Sequence, residues 1–327
     1  MHKNFTQKTL SVGINKYEFT SSLSCCVNDA TEVAHLLKRH ANGDVNFDDV
    51  VLKKNSRKEK VEYALDNLFS DVRGCNHVLF FFSGHGYRTE NDVYLVCRDS
   101  SLEDPGISLV QLMNRINKSS IPSITVILDC CHAGFIGDTE KNSNPMNGSF
   151  PVSCIRENVT LLAATTGPDV AGEDRIHGLF TKALLYGLQG AAADLFGQIT
   201  PASLYALADS YFTAGQQRPL FKSNSTNLNT LRLGHAILDH QSIRELKNKR
   251  FHLERKDPVQ LYPHEVCIDL KKTDKIQRFE QLIQYQRAGL IECPNNNSIY
   301  LSALLKRPYQ LSALGNFYLE LHNHEKI

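Results

Sequence analysis

Residues 124–134 read ITVILDCCHAG, and residues 80–86 read FFFSGHG. Each stretch begins with apolar or β-branched residues only, which is typical of a strand buried on both faces of a parallel sheet. Each then changes abruptly to small, acidic, thiol or imidazole side chains. Because the carboxyl ends of parallel strands meet along one edge of an open sheet, we expect these two ends to lie close together.

The first two thirds of the chain alternate between strand-like and helix-like patterns, which predicts an α/β/α layered domain with a mostly parallel sheet. The residues at 92–96 alternate in polarity and are expected to pair in a hairpin. Asp29, with Glu32 three residues later, resembles a capping box at the start of a helix. The predicted strands lie at 9–14, 49–52, 77–82, 92–96, 124–128, 159–164 and 228–233, and the predicted helices lie at 29–40, 58–71, 108–117, 178–188 and 201–212.

The chain has 327 residues, of which 42% are hydrophobic, so it can form one large domain and a small one. This composition excludes a wholly disordered chain. The formal net charge of +1 favours no class of partner. Residues 240–327 hold 14 Lys+Arg against 10 Asp+Glu, and residues 1–239 hold 22 against 25, so the tail is mildly basic and the body mildly acidic.

The nine cysteines are odd in number, include no Cys-x-x-Cys pair and have no spacing to histidine that suits a structural zinc. The first residues lack an apolar core of signal-peptide length, and no apolar run approaches the ~20 residues of a membrane span. These features predict a protein of a reducing compartment, the cytoplasm, without membrane association.

A cysteine becomes a nucleophile near neutral pH when a base or a positive neighbour favours its thiolate. His85, at the end of one buried strand, could be that base for a thiol at the end of the other. The glycines beside His85 permit a sharp turn, and the backbone N–H groups of Gly86 and Cys131 could bind a developing oxyanion. One of the two adjacent thiols, Cys130 or Cys131, is expected to pack as a small apolar side chain.

Two motifs carry a resemblance to a known family: Ser-Gly-His-Gly at 83–86 and Asp-Cys-Cys-His-Ala-Gly at 129–134. They resemble the signature of caspase-like cysteine peptidases, and above all that of metacaspases and their bacterial relatives. The resemblance covers about residues 8–234 and implies a caspase-like α/β/α sandwich with a mostly parallel six-stranded sheet. Further similar stretches are GINKY (13–17), CVNDA (26–30), LLAATTGPDVAGED (161–174), HGLFTKALLYGLQG (177–190) and QQRP (216–219).

The same resemblance implies roles for individual residues. It places the nucleophile at Cys131 and the base at His85, with a thioester acyl-enzyme as intermediate, and it leaves Cys130 to packing and His132 to a structural role. The residues that would line the pocket for the side chain before the scissile bond are Cys26, Asp29, Ser83 and Asp129.

Two carboxylates in that pocket predict cleavage after Arg or Lys, because a cationic side chain would relieve their mutual repulsion. Two alternatives stay open: Asp29 could simply cap its helix, and Asp129 could simply bind local amides. The polar, turn-rich loop at 138–157 offers Lys141 and Arg156 as self-cleavage sites.

Many metacaspases need calcium, and the resemblance implies which positions would supply it. Asp99 and Asp138 match two of the acidic positions, but Ser108 and Leu109 stand where an acidic pair is expected. Calcium prefers six to eight oxygen ligands. We therefore expect activity without calcium, and no other cofactor or metal is implied.

The predicted domain organisation has a peptidase domain at 1–234, a linker or extra helix at 235–260 and a small domain at 261–327. Within the first domain, a large-subunit-like part (1–137) and a small-subunit-like part (158–234) flank the loop. In the tail, a helix is predicted over 274–292, a turn and strand over 294–301, and a short strand followed by a helix over 307–321. This order resembles a winged-helix domain.

The tail could recognise nucleic acid or dock on a protein. A surplus of four basic residues is small for a DNA-binding domain, so a docking or autoinhibitory module is the favoured hypothesis. For the whole chain, two functions stay open. One is a cysteine endopeptidase that acts on protein substrates, which the resemblance connects with defence or cell death. The other is a catalytically idle scaffold or regulator that acts through its tail.

Overall fold

The structure, a computed structural model, describes residues 6–70, 74–90, 92–130, 155–164, 176–212, 218–226, 229–246, 273–293, 298–305 and 307–323. The chain divides into two compact units, one of residues 1–193 and 198–235 and one of residues 194–197 and 236–327. In these described ranges, no helix combines the length and the apolar character that crossing a membrane requires.

The first unit alternates strands and helices. Its strands are β1 (Thr6–Gly13), β2 (Asp49–Lys54), β3 (Cys75–Ser83), β4 (Gly86–Arg88), β5 (Val93–Leu95), β6 (Ile107–Ser108), β7 (Ser123–Asp129), β8 (Val159–Ala163), β9 (Gln198–Ile199), β10 (Leu220–Asn224) and β11 (Arg232–Leu233). Its helices are α1 (Cys26–Lys38), α2 (Lys58–Phe69), α3 (Leu109–Lys118), α4 (Leu179–Tyr186), which continues into a π-helical turn (Gly187–Ala191), and α5 (Pro201–Tyr211).

Six strands form one central sheet in the order β10-β8-β7-β3-β1-β2. The five from β8 to β2 run parallel, and β10 pairs antiparallel with β8 at the edge. The prediction of a mostly parallel six-stranded sheet is confirmed. The expected hairpin at 92–96 also forms, since β5 pairs with β4 and β6 in a separate small sheet.

The sixth strand was placed wrongly by the sequence pattern. It lies at Leu220–Asn224, whereas the described part of the predicted segment, residues 229–233, contains the two-residue strand β11, which pairs with β9. Strand β10 is an edge strand whose second half, Lys222 to Asn224, is polar and partly exposed. Such a strand lacks the apolar run that marks a strand buried on both faces.

The helices cover both faces of the sheet, because side chains along a strand alternate between its two sides. On β3, Phe80 and Phe82 pack in one core with residues of α2 and α3. Phe81, between them, packs in a second core with residues of α1, α4 and α5. The unit is therefore an α/β/α sandwich, as predicted.

The second unit is built from short elements around its own core. Its helices are α6 (His240–Glu245), α7 (Thr273–Arg287), α8 (Ile299–Leu304) and α9 (Ala313–Asn323), and its strands are β12 (Ile291–Glu292) and β13 (Gln310–Leu311), which pair antiparallel. Tyr285, Leu290 and Leu319 are among the buried core residues.

One predicted strand of the tail is a helix instead. Residues 299–304 form α8, whose start is capped by the Ser298 hydroxyl, which accepts a hydrogen bond from Leu301 N–H at 3.1 Å. Ile299, Ser302 and Ala303 are buried, which is the three- and four-residue spacing of one helix face. The predicted strand and helix over 307–321 are confirmed as β13 and α9. The winged-helix assignment and the domain boundaries remain predictions.

Candidate active site

The predicted site residues meet at the carboxyl edge of the central sheet. Ser83, the last residue of β3, lies in register with Gly13 of β1 and with Asp129, the last residue of β7. Only glycine fits at residue 13, because the Cβ of any other residue would lie 2.2 Å from the carbonyl oxygen of Cys26. The glycine thus lets the first turn of α1 approach the end of β1.

Two asparagines hold the segment after β1 against its neighbours. The Asn15 side-chain oxygen accepts a hydrogen bond from Val27 N–H at 2.9 Å, in the first turn of α1. The Asn55 side-chain oxygen accepts bonds from the backbone N–H groups of Asn15 and Lys16. These contacts fix the path of the chain that leads to Tyr17.

The His85 imidazole is held from two sides. Tyr17 Oη accepts a hydrogen bond from His85 N–H at 2.8 Å and donates one to the Ile14 carbonyl at 2.9 Å, and the two rings lie 4.7 Å apart. His85 Nε2 lies 2.9 Å from the Ser21 carbonyl oxygen. A carbonyl can only accept, so Nε2 carries a hydrogen, and in the neutral ring the lone pair that a general base needs lies on Nδ1.

Asp29 is 1% exposed and lies in the first turn of α1. Its Oδ2 accepts a bond from Ser83 Oγ at 3.0 Å, and its Oδ1 accepts one from His177 Nδ1 at 2.8 Å. Burial and then the nearby charge of Asp129 raise the pKa of Asp29 to about 7, while the bonds from His177 and Ser83 oppose that rise. The carboxyl is therefore poised to change charge near neutral pH.

The second carboxylate, Asp129, is bound by the start of α4. Its Oδ2 accepts hydrogen bonds from Thr181 N–H at 3.2 Å and from Thr181 Oγ1 at 2.5 Å. A Cβ at Gly178 would lie 2.9 Å from Asp129 Oδ2 and 3.5 Å from Asp29 Oδ2. Both carboxylates therefore border the space in front of Gly178, and we call Asp29, Ser83, Asp129, His177 and Thr181 the acidic site.

The alternative that Asp29 caps its helix is wrong. Helix α1 begins at Cys26, four residues earlier than an N-cap at Asp29 would require, and its N-cap residue is Cys25. The helix thus extends one turn beyond the capping pattern, and Asp29 is buried within that turn. The partners of Asp129 also lie far from it along the chain, on α4, so it does more than bind local amides.

The remaining predicted residues fall into two groups. Cys26 begins α1 and is 6% exposed, Gly86 begins β4 directly after His85, and Cys130 is buried within the core. The predicted nucleophile and its neighbours lie outside the described residues; they are Cys131, His132, Asp138 and Lys141. The dyad and the oxyanion site therefore remain predictions.

Arg156, a predicted self-cleavage site, is anchored to helix α3 and the loop after it. Its guanidinium donates to the carbonyl oxygens of Ile116 at 2.9 Å, Ile121 at 2.6 Å and Glu157 at 2.9 Å. Cleavage after Arg156 would require these bonds to break first.

The positions implied for calcium serve other purposes. Asp99 Oδ1 accepts a hydrogen bond from Lys58 N–H at the start of α2, at 2.8 Å. Ser108 caps α3 by accepting from Gln111 N–H, and Leu109 is buried in the core. In the part of the chain that the structure describes, no group of three or more His, Cys, Asp or Glu side chains is placed to hold a metal ion. Asp138 lies outside the described residues, so activity without calcium remains a prediction.

Sequence reasoning missed four residues that support the site. Tyr17 and Ser21 hold His85, and His177 and Thr181 bind the two carboxylates. His177 and Thr181 lie in the stretch HGLFT at 177–181. A histidine and a glycine directly before a predicted helix could have indicated a functional position there.

A six-stranded sheet with this strand order, and with its polar motifs gathered at one edge, defines a caspase-like class of protein. The sequence profile described as the caspase domain matches residues 6–230. The chain therefore belongs to the caspase domain family.

Its curated relatives include metacaspases. Metacaspase-1 of Debaryomyces hansenii is 28% identical over 149 residues, which cover 40% of this chain and 33% of that protein. Metacaspase-1 of Meyerozyma guilliermondii is 29% identical over 146 residues, which cover 39% of this chain and 35% of that protein. The matched part of the chain thus spans about a third of the length of these relatives.

Solved structures that superpose on this chain have low sequence identity to it. A Geobacter sulfurreducens protein superposes with a TM-score of 0.50 at 15% identity, covering 71% of this chain and 97% of its own. Caspase-1 from Spodoptera frugiperda has a TM-score of 0.49 at 13% identity, covering 72% of this chain and 92% of its own. The first of these similarities shows a shared fold.

Proposed function

We propose that this chain is a cysteine endopeptidase that cleaves protein substrates after Arg or Lys, with Cys131 as nucleophile and His85 as base. One observation carries the proposal: the His85 imidazole, whose Nε2 faces the Ser21 carbonyl, and a site with two carboxylates lie at the same sheet edge. Strand β7 ends at this edge and leads within two residues to Cys131. A thiol nucleophile must stay reduced, so we also infer a reducing compartment such as the cytoplasm.

In the proposed reaction, the Cys131 thiol gives its proton to His85 Nδ1, and the thiolate attacks the carbonyl carbon of the scissile bond. The backbone N–H groups of Gly86 and Cys131 bind the oxyanion. The C–N bond then breaks as the imidazolium returns its proton to the leaving amine, which leaves a thioester on Cys131. His85 next deprotonates the water that hydrolyses the thioester, and the proton finally returns to the thiol.

The contact between His85 Nε2–H and the Ser21 carbonyl supports this role. It selects the tautomer with a basic Nδ1, and it persists when Nδ1 gains the proton. The partial negative charge of the carbonyl oxygen then stabilises the imidazolium, in the way that a carboxylate does in other catalytic sites. Ser21 would thus orient the base without taking part in proton transfer.

Electrostatics favour a cationic residue before the scissile bond. Burial, and after it the charge of Asp129, disfavours the negative charge of Asp29 and raises its pKa. A substrate guanidinium would relieve this repulsion and could form charge-assisted hydrogen bonds with both carboxylates. A substrate Asp would instead add a third negative charge, which costs several kcal/mol.

A matched peptide series that differs only in the residue before the scissile bond tests the proposal. We expect Arg and Lys peptides to exceed Asp and Leu peptides by about 10³-fold in kcat/KM. The variant Asp29→Asn should lose most of this preference, whereas Asp49→Asn, on an exposed residue of β2, should keep it. If Asp or Leu peptides are cleaved faster than both Arg and Lys peptides, the acidic-site argument is wrong.

A further inference from the structure

His177 lies directly before α4, and its side chain is 17% exposed. Its Nδ1 lies 2.8 Å from Asp29 Oδ1, a contact between residues 148 positions apart. A carboxylate oxygen accepts the hydrogen, so Nδ1 is the donor. The segment before α4 is thereby attached to the first turn of α1, at the residue that the proposed function assigns to substrate recognition.

Asn28 also contacts the His177 ring. Its Nδ2 donates to the Ile176 carbonyl at 3.1 Å, which identifies the amide nitrogen, and lies 3.3 Å from His177 Nε2. The same amide nitrogen lies 3.5 Å from His177 Nδ1, so it packs against the ring rather than along one lone pair. Asn28 and Asp29, neighbours in the first turn of α1, thus both contact the imidazole.

The next residue, Gly178, leaves room beside the two carboxylates. A side chain there would meet Asp129 Oδ2 at 2.9 Å, so only glycine leaves the region between the two carboxylates open. His177 binds Asp29 through Oδ1, while Oδ2 is the oxygen near Gly178. The imidazole therefore holds the carboxylate with one oxygen directed toward the shared space.

We infer that His177 is a positioning and specificity-determining residue, whose Nδ1–H holds the ionised Asp29 carboxylate in the orientation that receives a cationic side chain. This inference rests on the proposed function, since it concerns recognition at the same site. It predicts that the Arg preference depends on a donor at residue 177 as well as on the two carboxylates.

The expected pH dependence of Arg recognition follows from the groups that face Asp29. Burial and Asp129, at the end of β7, favour the protonated carboxyl, whereas Ser83 on β3 and His177 before α4 favour the ionised form. As the pH falls through about 7, Asp29 gains a proton and can no longer pair with a guanidinium. Removing the His177 donor raises the pKa of Asp29 further, so recognition of Arg should begin to fall at a higher pH.

The test compares His177→Ala with His177→Asn, since an Asn amide nitrogen can replace Nδ1 as donor. The measurement is the ratio of kcat/KM for two peptides that carry Arg or its neutral isostere citrulline before the scissile bond, across pH 5.5–9. This ratio cancels the titration of the catalytic residues, which both peptides share. The exposed His35→Ala, on the solvent side of α1, is the control.

For His177→Ala we expect a roughly 10- to 100-fold lower Arg:citrulline ratio at pH 7, as for loss of a hydrogen bond to a charged group. The change should appear mainly in KM for the Arg peptide, and the fall of the ratio should shift to higher pH. His177→Asn should restore most of the Arg:citrulline ratio and most of its wild-type pH dependence. An unchanged ratio in His177→Ala, or equal losses on both peptides without a pH shift, would overturn the inference.

A second readout separates this inference from the proposed function. If the wild-type chain cleaves neither peptide, the proposed function fails, and the Asp29 carboxyl is then titrated by ¹³C NMR in the three variants and the wild type. A higher pKa of Asp29 in His177→Ala than in the wild type, with recovery in His177→Asn, supports the positioning role. The same pKa in all four proteins contradicts it.

Discussion

The Tyr17 hydroxyl joins the segment after β1 to the end of β3. It donates to the Ile14 carbonyl and accepts from His85 N–H, and burial raises the pKa of the hydroxyl, so it stays protonated. A Cβ at Gly84 would lie 2.9 Å from Tyr17 Oη, which explains why glycine precedes His85. The backbone that carries the base is therefore fixed by one side chain outside the catalytic motif.

We predict that Tyr17→Phe lowers kcat on Arg peptides by roughly 10- to 100-fold, with a smaller change in KM, because a misplaced base slows the chemical step. The lost hydrogen bonds should also reduce the free energy of unfolding by about 1–3 kcal/mol. Tyr63→Phe, on a 69% exposed tyrosine, is the control for both measurements. A Tyr17→Phe enzyme with normal kcat but lower stability would show that the hydroxyl is purely structural.

Sequence motifs predicted the residues that do chemistry better than those that support them. His85, Asp29, Ser83 and Asp129 were predicted by resemblance, and the structure brings the last three into contact with each other or with Gly178. Ser21 and His177 were not predicted, because each acts through a contact to a residue more than 60 positions away. Such contacts depend on how strands and helices are ordered in space, which local patterns do not specify.

At the scale of elements, apolar runs in the sequence predicted the central strands of the sheet but did not predict the edge strand β10. Strands β3, β7 and β8 are buried on both faces and have continuous apolar sequences, so their positions were predicted within two residues. Strand β10 has one neighbour and a polar second half, so no such signal was present. Helix α8 was mistaken for a strand because its six residues are too few to show a clear helical period.

The contacts at the starts of α2 and α3 also bear on whether activity depends on calcium. Asp99 binds the first backbone N–H of α2, and the Lys58 ammonium of the same helix pairs with Asp104 at 2.5 Å. Ser108 caps α3 and donates to Asp92. Two positions where the resemblance implies calcium ligands are thus engaged by the starts of helices α2 and α3.

We therefore predict that turnover of an Arg peptide changes little between a chelator and millimolar calcium. The variant Asp99→Asn should lower the thermal stability through the start of α2 and leave the response to calcium unchanged. A rise in turnover of more than about tenfold on adding calcium, equivalent to roughly 1.4 kcal/mol, would contradict this prediction.

At the scale of the whole molecule, the described part of the second unit exposes several large apolar side chains. Helices α8 and α9 and the residue after α8 expose large apolar side chains, which are Tyr300, Leu301, Leu304, Leu305, Leu314 and Phe317. Exposed apolar clusters are typical of surfaces that bind proteins. This surface supports the hypothesis that the tail docks on a protein partner.

We predict that the full-length Cys131→Ala protein binds duplex DNA only weakly. Binding through phosphates releases counterions, so it weakens steeply as salt rises. The measurement is DNA affinity by fluorescence anisotropy at 50 and 200 mM salt, with a basic DNA-binding protein as a positive control. Tight binding that falls by about 10³-fold over this range would favour nucleic-acid recognition over docking.

The central claim is that this chain is a cysteine peptidase whose nucleophile is Cys131 and not Cys130. The most direct test is the turnover of one Arg peptide by the purified wild type, Cys130→Ala and Cys131→Ala. Loss of a nucleophile removes several orders of magnitude in rate, so Cys131→Ala should be inactive. Cys130 is 4% exposed within the core, so Cys130→Ala should lose some stability but keep most of its activity. An inactive Cys130→Ala beside an active Cys131→Ala, or full activity in both variants, would contradict the account.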